Sequence, residues 1–268
     1  MILGLEYGFM RHALAAGSAI AVACAAAGYF VTLRRQAFAA HALSHVGFTG
    51  AAGAILLGLS PYAGLFAFTL ATGLALGLAG ERLRQRDVGI GMVLMFALGL
   101  GVLFLNLYTR NAQAAMSILF GSIVGVTAQQ AWMSLGVSGV SLAGLGVIYR
   151  PLLLSSLNPE AARARGVPLR ALDLAFIVLL AATVAIAVPV IGALLIFAFL
   201  VGPPAAAQAL TRTPGRGLLV AAALGLLLTW VGMAAAYTIG YPASTWIASL
   251  SFALYLAAQA LRAARSGR

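Results

Sequence analysis

Lysine is absent from all 268 residues, and acids number only five: Glu6, Glu81, Asp87, Glu160 and Asp173. Without lysine there is no phosphate-binding loop of the Gly-x-x-x-x-Gly-Lys type, so ATP hydrolysis by this chain is not expected. All five acids fall near the ends of apolar runs, which leaves no Ser/His/Asp set and argues against an enzyme within a membrane. Cys24 is the only cysteine, so no intramolecular disulfide can form. Its setting, Ala21-Val22-Ala23-Cys24, is a poor lipoprotein-type cleavage site. The apolar run around it is too long for a signal peptide and ends in Arg34-Arg35, so it is expected to be retained, with Cys24 a packed core residue.

What remains is overwhelmingly apolar. Hydrophobic residues make up 63% and charged residues 8%, and the mean hydropathy is +1.04. No soluble domain offers water so little polar surface, so the chain is expected to be an all-α, polytopic transmembrane bundle. At about 20 residues per span, eight to ten helices fit the length. Continuous rather than alternating apolar runs disfavour a transmembrane barrel. The formal charge of +11 comes from 16 arginines. They cluster between apolar runs as the positive-inside rule requires, without the aromatic interleaving of a nucleic-acid surface, so no nucleic-acid partner is expected.

Nine spans are expected, within one transmembrane domain covering residues 1–268. They run from about Phe9 to Leu33, Phe38 to Gly58, Tyr62 to Gly80, Val88 to Tyr108 and Ala131 to Leu154. The rest run from about Leu172 to Val188, Val190 to Leu210, Gly217 to Ile239 and Ala243 to Leu261. The segment 114–130 is apolar but short and is expected to be partial or re-entrant. Pro189 is expected to separate the sixth and seventh spans, and Gly202-Pro203-Pro204 to break the seventh. The arginine-rich connections, including Glu81–Asp87, share one face, taken as cytoplasmic; this puts the N-terminus outside and the C-terminus inside.

Small residues at helical spacing, Gly73/Gly77 and Gly121/Gly125, are expected to bring helices close. Asn106 and Gln208 are expected to bond between helices. Asn158 to Gly166 reads as a short capped helix: Asn158 serves the orphan amides, Pro159 suits the first position, Glu160 complements the positive end, and Gly166 stops it. Ala161, Ala162, Arg163 and Arg165 make it either a solvated connector or a docking element.

His41 and His45 are the only deeply placed ionisable residues. Four residues apart, they share a helix face, and at about 1.5 Å per residue His45 lies on the order of 12–15 Å into a hydrocarbon layer about 30 Å thick. Two imidazoles there, with Ser44 between them, point to a ligand or pathway role rather than packing. Imidazole suits zinc and related transition metals, whereas magnesium and calcium prefer oxygen.

With these residues in view, the chain resembles the zinc/manganese/iron permease family of ABC importers over nearly its whole length. The pieces that carry the resemblance begin with Phe9-Met10-Arg11-His12-Ala13-Leu14, Leu33-Arg34-Arg35 and Ala42-Leu43-Ser44-His45. Leu119-Phe120-Gly121-Ser122 and Asn158-Pro159-Glu160-Ala161-Ala162 with Gly166-Val167 follow. The last are Ile191-Gly192-Ala193-Leu194-Leu195 and Gly202-Pro203-Pro204-Ala205-Ala206. The resemblance implies an inner-membrane permease that forms a homodimer with a second permease chain. It also implies two cytoplasmic ATPase subunits and an extracytoplasmic metal-binding protein as partners. The segment around Asn158 to Val167 matches the family's coupling helix, and His45 its histidine in the translocation path. His41 stands where the family usually has aspartate; two nitrogens lean away from manganese and towards zinc.

The function expected is therefore the membrane subunit of an ATP-driven importer of divalent metal, zinc first, then manganese or iron. It would work by alternating access at the dimer interface and hold no permanent cofactor. A self-contained carrier or channel, and an ABC permease for a metal-siderophore or corrinoid, are the rival readings.

Overall fold

The computed structural model describes residues 6–79, 87–107, 121, 125–240 and 242–266. Among them are ten helices and no strand. The first four are α1 (Gly8–Leu33), α2 (Ala37–Leu56), α3 (Pro61–Ala79) and α4 (Asp87–Leu107). Next come α5 (Ala128–Leu157), the short α6 (Pro159–Ala164) and α7 (Leu169–Ile191). The chain closes with α8 (Ala193–Leu210), α9 (Pro214–Ile239) and α10 (Ala243–Ser266). All nine long helices coincide with expected spans, because an apolar run in hydrocarbon must satisfy its backbone internally.

Eight of the nine are long and apolar enough to cross a membrane; α2 is not among them. It carries two histidines, Ser44, Thr49 and three glycines among its apolar residues, and it is closely packed. It lies against α3, α4, α7 and α8, with nearly every residue from Ala39 to Ala54 buried. Backbones touch where α2 crosses α3: a Cβ on Gly50 would sit 2.3 Å from the Gly64 carbonyl oxygen. α1 is equally enclosed, packing on α5, α7, α8 and α9. The outer faces of α3, α4, α5 and α10 carry exposed apolar side chains such as Leu78, Phe96, Trp132 and Phe252, as a lipid-facing surface would.

Several local expectations need correction. Pro189 does not separate two helices; it lies inside α7, and the break falls at Gly192, with φ +90°. A proline removes one hydrogen bond, which a packed helix tolerates, whereas that backbone conformation is open mainly to glycine. Pro203 and Pro204 likewise lie inside an unbroken α8. Without the Pro204 amide, the Leu200 carbonyl has no donor in its own helix, and it faces Gly28 of α1 so closely that a Cβ there would lie 2.1 Å from the oxygen. Gly73 and Gly77 do pack closely, onto Ala181 and Leu174 of α7. Gly121 and Gly125 are not a helical pair, since Gly121 has φ +69°.

The proposed re-entrant segment ends differently. Gln129 and Gln130 belong to the first turn of α5, which Thr127 opens with a capping box: Gln130 N–H donates to Thr127 Oγ1 at 3.2 Å, and Thr127 N–H to Gln130 Oε1 at 2.8 Å. Residues 108–120 and 122–124, like 80–86 of the basic loop, lie outside the described residues.

Candidate metal path and coupling surface

The three-residue link Arg34-Arg35-Gln36 starts α2, and His41 and His45 then fall on adjacent turns of one face. Their ring centroids are 4.6 Å apart at an interplanar angle of 76°. His41 also meets the Phe197 ring of α8 edge-on, at 5.1 Å. His45 is 8% exposed and His41 half-buried. Ser44 does not reach either ring; its hydroxyl donates to the His41 carbonyl of its own helix at 2.7 Å. His41 Nδ1 is buried and has no hydrogen-bond partner. Two adjacent imidazoles with an unclaimed nitrogen can donate lone pairs to a cation when neutral. Among the described residues no third His, Cys, Asp or Glu joins them, so this part of the chain brings together two imidazoles and no further side-chain donor of these types.

The second feature is α6. Asn158 Oδ1 accepts from the Ala161 amide at 2.9 Å, Pro159 holds the first position, and Glu160 lies in the first turn. Val167 N–H reaches the Ala162 carbonyl at 3.1 Å and Gly166 N–H that of Arg163 at 2.9 Å, closing the helix with Gly166 at φ +73°. Ala162 is buried against the bundle, while Asn158, Pro159, Glu160, Arg163, Arg165 and Gly166 are exposed and Ala161 partly so. The helix is thus fixed by one small residue and presents two guanidiniums outward.

Other polar contacts link helices. Gln208 of α8 donates to the Tyr29 carbonyl at 3.0 Å and to Thr32 Oγ1 at 2.8 Å, both on α1. Asn106, by contrast, bonds the Val102 carbonyl of its own helix at 3.0 Å. Arg34, which closes α1, pairs with Asp173 of α7 and lies over the Phe176 ring, 5.6 Å from its centroid. Sequence reasoning missed this pair because its members are 139 residues apart. Phe197 carried no signal either, being one aromatic in an apolar run.

The profile of the ABC 3 transport family matches residues 6–262. The chain is similar to the manganese transport system membrane protein MntC of Halalkalibacterium halodurans, with 30% identity over 93% of this chain and 87% of that one. It is also similar to the manganese import system permease protein ScaB of Streptococcus parasanguinis, with 29% identity over 94% and 90% of the two chains. Its fold is like that in the solved structure of PsaBC from Streptococcus pneumoniae in complex with Fab. There the TM-score is 0.83 at 23% identity, covering 95% of this chain and 92% of that one. Zinc, expected as first substrate, finds no support among these relatives, two of which are named for manganese. The softness of two imidazoles ranks ions only for a complete ligand set, and two nitrogens are not one.

Proposed function

Because the chain belongs to the ABC 3 transport family, and so is the membrane-spanning permease subunit of an ABC transporter, we propose that it imports manganese along a path lined by His41 and His45. The observation that carries this is the histidine pair itself: two rings 4.6 Å apart on a helix otherwise enclosed by apolar neighbours. An imidazole at that depth has no bulk water to solvate it, so a ligand role accounts for its presence. The relatives named for manganese support the choice of ion.

Manganese takes more ligands than two nitrogens supply, so bound water or groups of a second permease chain complete the shell, and binding stays weak enough for release. Cytoplasmic ATPases dock on α6 through Arg163 and Arg165, and an extracytoplasmic protein delivers the ion to the opposite face. On this reading α1 enters from outside, α2 returns from the cytoplasmic edge, and the ion meets His45 before His41. The test is manganese uptake in cells expressing His45→Ala at wild-type level. Uptake should fall to background while the complex still assembles; wild-type uptake would make the histidines packing residues.

A further inference from the structure

We infer that the Arg34–Asp173 ion pair is a positioning clamp that delivers movement of α6 to the histidine helix α2; this rests on the permease reading above. Asp173 stands near the start of α7, nine residues after Ala164 ends α6. Its partner Arg34 is the C-cap of α1, and only Arg34, Arg35 and Gln36 separate α1 from α2. The clamp therefore joins the segment carrying the docking helix to the segment that aims His41 and His45.

The link between α1 and α2 is stiff. Gln36 N–H donates to the Val31 carbonyl at 2.8 Å and Arg35 N–H to that of Thr32 at 3.2 Å, which places Arg35 at the left-handed position that glycine usually takes. Arg35 has φ +55° and is the only non-glycine with positive φ among the described residues. A side chain there leaves the link fewer conformations than glycine would. Whatever displaces Arg34 displaces the first turn of α2, and His41 lies only one turn further on.

The pair is placed to transmit such a displacement. The two side chains are 9% and 12% exposed, so solvent screens them little. Phe176, one turn after Asp173 on α7, lies under the guanidinium with its ring centroid 5.6 Å from Arg34 Cζ, and itself packs edge-on against Phe30 of α1 at 6.2 Å. Arg34 Nη1 is buried without a hydrogen-bond partner, so the geometry is not the one that maximises stability. Replacing a buried ion pair by apolar residues is often neutral or stabilising. What an ion pair supplies that an apolar pair does not is a directional tie between two helices, strong when made and costly to break on one side.

The test uses the whole complex of permease, ATPase and binding protein in proteoliposomes, reading manganese taken up per ATP hydrolysed. Asp173→Asn and Arg34→Gln should keep the ATPase bound and active, while uptake per ATP falls about tenfold, a size usual for coupling between sites. The exchange Arg34→Asp with Asp173→Arg should recover most of the ratio, which loss of fold stability alone would not predict. Unchanged ratios in both single variants, or no recovery in the exchange, overturn the clamp. Should the single variants fail to assemble, Arg34→Lys keeps the charge but loses the planar fork, and its ratio decides in the same way.

A second measurement does not depend on the cargo. Spin labels at Ala164→Cys and Phe38→Cys, each paired with Leu219→Cys in a Cys24→Ala background, report movement of α6 and α2. Both distances should shift with nucleotide in the otherwise unaltered chain, and only the Ala164 distance in Asp173→Asn. A Phe38 distance that never shifts, or that shifts equally in both, overturns the clamp. A complex that hydrolyses ATP without taking up manganese refutes the proposed cargo instead, and the label distances still decide.

Discussion

Gly28→Ala adds one methyl group where α1 meets α8, and the structure gives its consequence a size. The new Cβ would lie 2.1 Å from the Leu200 carbonyl oxygen and 2.7 Å from its carbon. Ordinary carbon–oxygen contact is about 3.3 Å, so α8 must retreat by about 1 Å. The obstacle is backbone, not a side chain that can rotate aside, which puts the cost at the upper end of overpacking, about 3 kcal/mol. The same retreat draws Gln208 Nε2 away from the Tyr29 carbonyl and Thr32 Oγ1, now 3.0 and 2.8 Å distant. Two hydrogen bonds at about 1 kcal/mol each are then weakened or lost. Alanine's better helix propensity returns about 1 kcal/mol. The net expectation is a loss of about 3–4 kcal/mol. Gly136→Ala is the matched control: it lies exposed on α5, and nothing stands within 4 Å of its Cβ position. Thermal unfolding of the purified permease in detergent should place Gly28→Ala well below wild type and Gly136→Ala level with it or above. Equal midpoints for the two variants would refute the close approach of α1 and α8.

Asn158→Ala removes the cap of α6 and should destabilise that helix by about 1 kcal/mol, seen as faster amide exchange over residues 160–164 with the long helices unaffected. Arg163→Glu with Arg165→Glu should release the ATPase or uncouple hydrolysis from uptake, while membrane insertion stays normal; unaltered co-purification and uptake would make α6 a solvated connector. A cysteine placed at Ser156, beside α6, should react with an impermeant reagent only from the cytoplasmic side. Labelling in sealed cells would reverse the proposed orientation.

The helices were legible because hydrocarbon allows few alternatives: an apolar run of the right length must be a span, and arginine clusters mark its ends. The breaks were less legible. Pro189, Pro203 and Pro204 are conspicuous in a sequence, yet each sits within a helix whose neighbours hold it. Gly192 is one of 31 glycines, and its positive φ cannot be told from composition. The histidine pair was found by its spacing, which fixes two side chains on one face before any packing is known. Its setting was not, since Phe197 comes from a helix more than 150 residues away. The Arg34–Asp173 pair was hidden for the same reason: each residue, taken alone, reads as an ordinary charge at a membrane edge.

The polar residues of α2 give its packing a further consequence. The other eight long helices qualify as spans by length and apolar content. α2 carries two imidazoles and two hydroxyls into the bilayer and gains less from doing so. Its close partner is α3, which follows after a turn at Gly58–Ser60 and meets it backbone to backbone at Gly50 and Gly64. The two are thus packed as a hairpin, in which the histidine-bearing helix takes one wall from the next stretch of chain. A methyl group added at Gly50 or Gly64 would push α3 off α2 and remove one wall from around the histidine helix.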